Sequence, residues 1–431
     1  MLRLSHAMQA YQLIRLGTAV GISIVLAKSG LSAAEIGVYE MLLYVGTILS
    51  FFWVNGLLQG IPPLFQRKTP EAQARFYTQI FIVFSALAVG LYLLLTLGES
   101  WVCQWLTGRE ALPFFKWYAL FLLFNLPTYP AEYFYLVQGR PWKIAFWGLA
   151  GLGGQFLAVA VPIWAGGGME LAMQALAAIG LLKFLWTLGL VLRLGSWQWQ
   201  LEEIKHYLRF SWPLTLNVLA GNVIVLFDSW LVSWYYHDEA MFAIYRYGSR
   251  EFPLATALAT ALSVVMSSKI SADRAAGLAE LKQRSTRLMH TVFPLTIALI
   301  FIAPPLFPKV FNPDFAASAP LFNIYLLVTA SRVLLPNAVV LALGAPQMIF
   351  RWGLVELVLK VLSGFLFIHF WGLPGVAWSV VLTFWVEKIG LSWYLQRQGI
   401  RPGDWLPVRV YVFWTLLLAV AYMIFLRCMI Q

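Results

Sequence analysis

The chain has 431 residues, 61% of them hydrophobic and 11% charged, with a mean hydropathy of +0.75. This composition excludes a soluble globular domain and predicts a polytopic membrane protein. The formal net charge of +11 would point to nucleic acid in a soluble chain; in a membrane chain basic cytoplasmic loops account for it, and no nucleic-acid partner is expected.

The apolar runs do not alternate with polar residues, so the expected spans are helices and not barrel strands. A bilayer crossing takes about 20 residues. On that measure hydropathy predicts thirteen spans, near 9–28, 36–58, 77–97, 112–136, 143–164, 170–192, 209–234, 240–266, 288–308, 316–341, 348–370, 373–395 and 408–428. The first, with Arg3 and Arg15 ahead of an apolar core ending at Ala27, has the outline of a signal peptide. Its counterpart later in the chain argues for a true span. Gly17-x-x-x-Gly21 within it is a small-residue face suited to close helix packing.

The connections alternate in charge. One set holds Arg67, Lys68 and Arg75, then Arg140 and Lys143, then Arg193, Lys205 and Arg209. It continues with Lys269, Arg274, Lys282, Arg284 and Arg287, and ends with Arg397, Arg401 and Arg409. The other set holds mainly Lys28, Arg109 and Lys309 among Glu35, Asp238, Glu239 and Asp314. The basic set is therefore cytoplasmic, with the N-terminus inside; the resemblance described below implies a bacterial inner membrane. No connection is long enough for a folded extramembrane domain.

Little suggests enzymatic or cofactor chemistry, and none is expected. Cys103 and Cys428 form no metal pattern, and His6, His206, His237, His290 and His369 are scattered without ligand spacing. No glycine-rich phosphate loop is present. Gly148-x-x-Gly151-x-Gly153-Gly154 falls inside a span and reads as a packing face, not a dinucleotide fingerprint.

The chain contains an internal duplication. Gly139-x-Pro141 followed by Trp147-Gly148-Leu149 recurs 205 residues later as Gly344-x-Pro346 followed by Trp352-Gly353-Leu354. Lys183 and Lys388 keep that offset of 205; Tyr39 and Tyr245 are 206 apart, and Pro113 and Tyr118 match Pro320 and Tyr325 at 207. Six spans per repeat is an even number, so both copies share one orientation. The fold class expected is an all-α polytopic membrane protein: two six-helix bundles related by a pseudo-two-fold along the membrane normal, plus one extra C-terminal helix. The boundaries are 1–195 and 207–397 for the bundles, 196–206 for a cytoplasmic linker and 398–431 for the additional helix. Such bundles can rock about a site at their interface.

Charges inside the spans are the candidate site. Each costs about 2.5–3.5 kcal/mol on the insertion scale, so they are expected to face protein or water. Span eight carries Arg246, Arg250 and Glu251 ahead of Pro253, which should bend the helix where the charges end. Arg246 could instead snorkel to the headgroups; Arg250 lies deeper. Arg15, Lys183 and Arg332 complete a mostly cationic substrate-binding set, and Glu40 stands 206 residues before Arg246. Asp228 could balance a cavity arginine or carry a coupling proton or sodium ion. Glu356 and Lys360 are expected to pair with each other, Glu132 to belong to an interfacial belt, and Lys388 not to face its neighbour Glu387. Guanidinium forks match phosphate oxygens, so the substrate expected is anionic, a phosphate or diphosphate.

This pattern resembles the Wzx-type oligosaccharide-lipid flippases of the multidrug/oligosaccharidyl-lipid/polysaccharide exporter superfamily. The likeness rests on the paired six-span units, on Ala34-Glu35-Ile36-Gly37-Val38-Tyr39 leading into span two and on the segment Gly56–Phe65 that leaves it. Phe210-Ser211-Trp212-Pro213 opening span seven and Ala243-Ile244-Tyr245 at the start of span eight add to it. The resemblance implies a positively charged central cavity and transfer of an undecaprenyl-diphosphate-linked glycan to the periplasmic leaflet by alternating access. It places arginines of spans one and eight, here Arg15, Arg246 and Arg250, at the substrate. It also implies membrane lipids and glycan-assembly enzymes as working partners. The thirteenth span departs from the twelve or fourteen usual there. Two rivals are an ion-coupled multidrug exporter of the same superfamily, which would favour acidic cavity residues, and a membrane-embedded glycan polymerase or ligase, which would need a large outer loop or an acidic pair.

Overall fold

A computed structural model describes residues 4–66, 68–198 and 200–430; Arg3 and Arg67 fall outside them. The described chain is helical: α1 (Leu4–Lys28), α2 (Ala33–Phe65), α3 (Pro70–Leu97), α4 (Glu99–Thr107), α5 (Phe115–Asn125), α6 (Pro130–Val137), α7 (Pro141–Trp164), α8 (Gly168–Leu194) and α9 (Leu201–Tyr236). There follow α10 (Glu239–Gly248), α11 (Pro253–Ala272), α12 (Arg274–Val310), α13 (Ser318–Arg332), α14 (Pro336–Ala342), α15 (Pro346–Arg397), α16 (Pro402–Trp405) and α17 (Val408–Ile430).

The starts of these helices follow from local chemistry. Ser32 caps α2 in a reciprocal box: its hydroxyl accepts from the Glu35 amide while the Glu35 carboxylate accepts from the Ser32 amide. Thr69 and Asp273 cap α3 and α12 in the same sense. Gly139 and Gly344 both sit in the left-handed region, at φ 67° and 70°, two residues ahead of the prolines that open α7 and α15. The two copies of the repeated motif are thus built alike.

Ten described helices are long and apolar enough to cross a membrane, or eleven if the bent α9 counts as one span. The thirteen stretches expected from hydropathy are all helical, and the smaller number of uninterrupted helices has local reasons. Span four is broken into α5, a 3-10 turn at Leu126–Thr128 and α6, each too short to cross alone. Spans eleven and twelve are the two helices that make up α15, meeting at Gly372, whose φ of 61° glycine tolerates readily. Span eight is severed, not merely bent: α10 ends at Gly248 and Pro253 opens α11.

The chain forms two compact units, dividing after Phe242. In the first, α7 lies along α1: a Cβ at Gly148 would come within 2.7 Å of the Tyr11 ring, and one at Gly21 within 3.0 Å of Phe156. The glycine-rich stretch is therefore a packing face; Gly17 faces open space. The repeat boundary read from the sequence lies at 196–206, and by packing α9 beyond it lies against α2. Gly56 and Gly60 admit Thr215 and Ser211 at that contact, and the Tyr207 hydroxyl donates to the Leu57 carbonyl at 2.9 Å. In the second unit α17 docks on α12 and α13. Trp414 stacks on Phe293 and donates to His290 Nδ1 at 3.0 Å, and Tyr411 donates to the Ala330 carbonyl at 3.1 Å. Cys103 and Cys428 are both free thiols.

Candidate functional site

Each unit holds its own cluster of membrane-embedded polar groups, at a break in a span. In the first unit the break is at Asn125, where α5 stops, Pro127 and Pro130 prevent a continuous ladder, and α6 restarts. The side chains freed there meet a chamber of about 240 Å³ lined by Gln12 and Arg15 from α1, Tyr118, Asn125, Tyr129 and Glu132 from the broken span, and Gln155 from α7. Asn125 organises it. Its side-chain oxygen accepts from Lys183 Nζ at 2.6 Å and from Gln155 Nε2 at 3.0 Å. The Lys183 ammonium also lies 5.9 Å from the centre of the Trp147 ring, and its stem passes over Gly151.

Glu132 is not an interfacial belt residue. It is 4% exposed and lines the chamber with Arg15, because the turn at Leu126–Thr128 rotates α6 inward. The carboxylate is hydrogen-bonded to the Tyr11 side chain, while its Oε2 has no hydrogen-bond partner among the described residues. Glu40 on α2 and Asp228 on α9 are buried in the same unit.

In the second unit two breaks meet. Glu251, in the gap between α10 and α11, receives Arg332 from the end of α13: Nε donates to Oε2 at 2.8 Å and Nη2 to Oε1 at 2.7 Å. Thr256 adds a third donor to Glu251 at 3.2 Å, and the guanidinium lies 4.1 Å from the Phe384 ring centre. This forked pair commits both oxygens of Glu251 to Arg332. Arg246 and Arg250 are half-buried, the latter 5.6 Å from the Tyr247 ring centre.

Beside them Lys388 Nζ donates to Asn337 Oδ1 at 2.9 Å and to Glu387 Oε2 at 2.7 Å, while Asn337 Nδ2 donates to Glu387 Oε1 at 3.1 Å. The expectation that adjacent residues stay apart fails here. Their Cβ vectors diverge, but both side chains are long enough to converge on Asn337. Arg332, Asn337 and Lys388 line a pocket of about 170 Å³ with Thr256, Thr260 and Ser263. Glu356 and Lys360 are buried one turn apart on α15.

The repeat-matched lysines thus do the same thing in both units: each reaches an asparagine oxygen on the broken span. Likewise Tyr245 and Tyr325 share a hydrogen bond of 2.7 Å, and their counterparts Tyr39 and Tyr118 are close neighbours. The asparagines were missed from sequence. Asn125 and Asn337 are 212 residues apart and so are out of the repeat's register; their signal was the neighbouring prolines, which announce a break but not its contents.

Among solved structures the fold is similar to the lipid II flippase MurJ in an inward closed conformation, at 15% identity and a TM-score of 0.70, covering 99% of both chains. It is similar also to an inward-facing multidrug resistance MATE family transporter of the MOP superfamily, at 15% identity and 0.60, covering 92% of this chain and 98% of that one. A MOP superfamily transporter from Pyrococcus furiosus follows at 15% and 0.55, covering 92% and 94%. At such identities the likeness is one of fold. No curated protein matches by sequence. A family model described as polysaccharide biosynthesis protein matches residues 26–320. This multi-pass membrane protein belongs to the polysaccharide biosynthesis protein family.

Proposed function

We propose that the protein flips an undecaprenyl-diphosphate-linked oligosaccharide from the cytoplasmic to the periplasmic leaflet of a bacterial inner membrane by alternating access. The observation that carries the reading is a chain of the polysaccharide biosynthesis family that keeps buried cations inside its apolar helices, held by polar partners at breaks in neighbouring helices. Moving a diphosphate and sugars through hydrocarbon is prohibitive unless fixed opposite charges and polar groups replace their water. Arg246 and Arg250 hold the diphosphate in this reading, with Arg15, Lys183 and Arg332 assisting, while the polyprenyl tail stays in lipid. Asp228 and Glu40 balance the arginines or carry a proton or sodium ion. The likeness of fold to a lipid II flippase supports a lipid-linked substrate. The matched glycines, lysines and tyrosines of the two repeats support six-span bundles at 1–195 and 207–397, with 398–431 as an added helix.

The test is surface glycan in cells whose own copy is replaced. Arg250→Ala should reduce display by at least about tenfold, the loss from one transition-type charge contact of roughly 1.4 kcal/mol, at unchanged protein abundance. Normal display would remove Arg250 from the site. A multidrug exporter is favoured instead by one observation, the carboxylate of Glu132 in the first unit's chamber. Drug sensitivity on deletion, with glycan display intact, would select it.

A further inference from the structure

At the ends of α6 and α8, on the side that the lysine and arginine bias assigns to the cytoplasm, the first unit has a groove of about 600 Å³ apart from the chamber. Its rim is Arg140, Lys143 and Arg193; its walls include Tyr135, Phe146 and Trp186. The three cations are exposed, and no carboxylate forms an ion pair with any of them among the described residues. Lys143 Nζ sits 5.9 Å from the Tyr135 ring centre, and the Trp186 indole donates to the Tyr135 hydroxyl at 3.2 Å, which fixes the wall. Gln138 also lines the groove, with its side-chain amide buried toward the Tyr77 hydroxyl.

The surroundings are apolar and open. Phe146 is 55% exposed and Leu185 51%, as expected for side chains bathed in acyl chains. A groove that is apolar below and triply cationic at the headgroup level matches a molecule with a phosphate head and hydrocarbon tails. The second unit supplies an internal control. At the repeat offset of 205 residues, Arg140, Lys143 and Arg193 correspond to Ala345, Met348 and Gln398. The duplicated fold is built without these charges, so helix packing does not demand them.

We propose that this groove is a binding site for an anionic glycerophospholipid of the cytoplasmic leaflet, with Arg140, Lys143 and Arg193 around the phosphate and the tails lying along Phe146 and Leu185. The full-length protein, purified in detergent, is titrated with phosphatidylglycerol or phosphatidylcholine and bound lipid is counted by native mass spectrometry. The wild type should retain phosphatidylglycerol in preference to phosphatidylcholine. The triple variant Arg140→Gln, Lys143→Gln, Arg193→Gln should bind it on the order of a hundredfold more weakly, since each cation near a membrane surface contributes about a fivefold factor. Lys143→Gln alone should show a smaller loss and guards against misfolding of the triple variant. A charge-matched control, Arg351→Gln, Arg397→Gln, Arg409→Gln, should bind as the wild type does. Equal retention by the triple variant, equal loss by the control, or binding of undecaprenyl diphosphate but not phosphatidylglycerol at the groove would overturn the proposal.

Discussion

Lys183 and Lys388 stand at the same place in the repeat, and each donates to an asparagine oxygen, yet the two units neutralise them differently. In the first unit Lys183 donates to the neutral Asn125 side-chain oxygen, which also accepts from Gln155, and Glu132 lines the chamber without a hydrogen bond to its Oε2. In the second, Lys388 is closed into a triangle with Asn337 and Glu387, and Arg332 is clamped by Glu251. The two lysines share a position in the repeated sequence pattern, but among the described residues only Lys388 pairs with a carboxylate at hydrogen-bond distance. An uncommitted cation can serve a ligand, whereas one tied to a carboxylate mainly holds its own surroundings together.

The lysines offer the most direct way to break this contrast. Lys388→Met leaves the Glu387 carboxylate buried without its cation and should cost about 3–5 kcal/mol. Lys183→Met leaves Asn125 with Gln155 still donating to it and should cost no more than about 1–2 kcal/mol. Unfolding midpoints of the two purified variants check this, and equal shifts would show that the units do not differ in the way described.

The repeat-matched glycines give a smaller effect. Gly148→Ala pushes a methyl group to 2.7 Å from the Tyr11 ring and should destabilise by about 1–3 kcal/mol. Gly353→Ala meets nothing within 4 Å and should be neutral or stabilising by up to about 1 kcal/mol through helix propensity. The same unfolding assay reads both, and a reversed order would contradict the packing of α1 on α7.

The cysteines sharpen the picture without altering stability. Cys103, in α4, is buried, and desolvation pushes its thiol up to about 11, with Glu99 adding to the rise; Cys428 is exposed. At neutral pH a maleimide should label Cys428 and spare Cys103. Because the Cys103 pKa is raised, its thiolate appears only as pH climbs toward that value, so its labelling should grow with alkalinity. Fast labelling of Cys103 at neutral pH would mean that α4 opens.

Much of this molecule is legible in the order of its residues. Composition alone forces a bundle of membrane helices, because no soluble core can bury 61% hydrophobic residues across 431 positions. Glycine, proline, tryptophan and lysine positions recur at one offset, and the matched turns at Gly139 and Gly344 need only backbone geometry to be anticipated. Tertiary structure alone decided which charges meet. Arg332 and Glu251 are 81 residues apart, Lys183 and Asn125 are 58 apart, and Glu387 reaches the cation beside it only because Asn337 draws both to one point. Hydropathy registers how much apolar length a segment carries, a local sum; pairing depends on where broken spans turn their side chains, and that is set by neighbours distant in the chain.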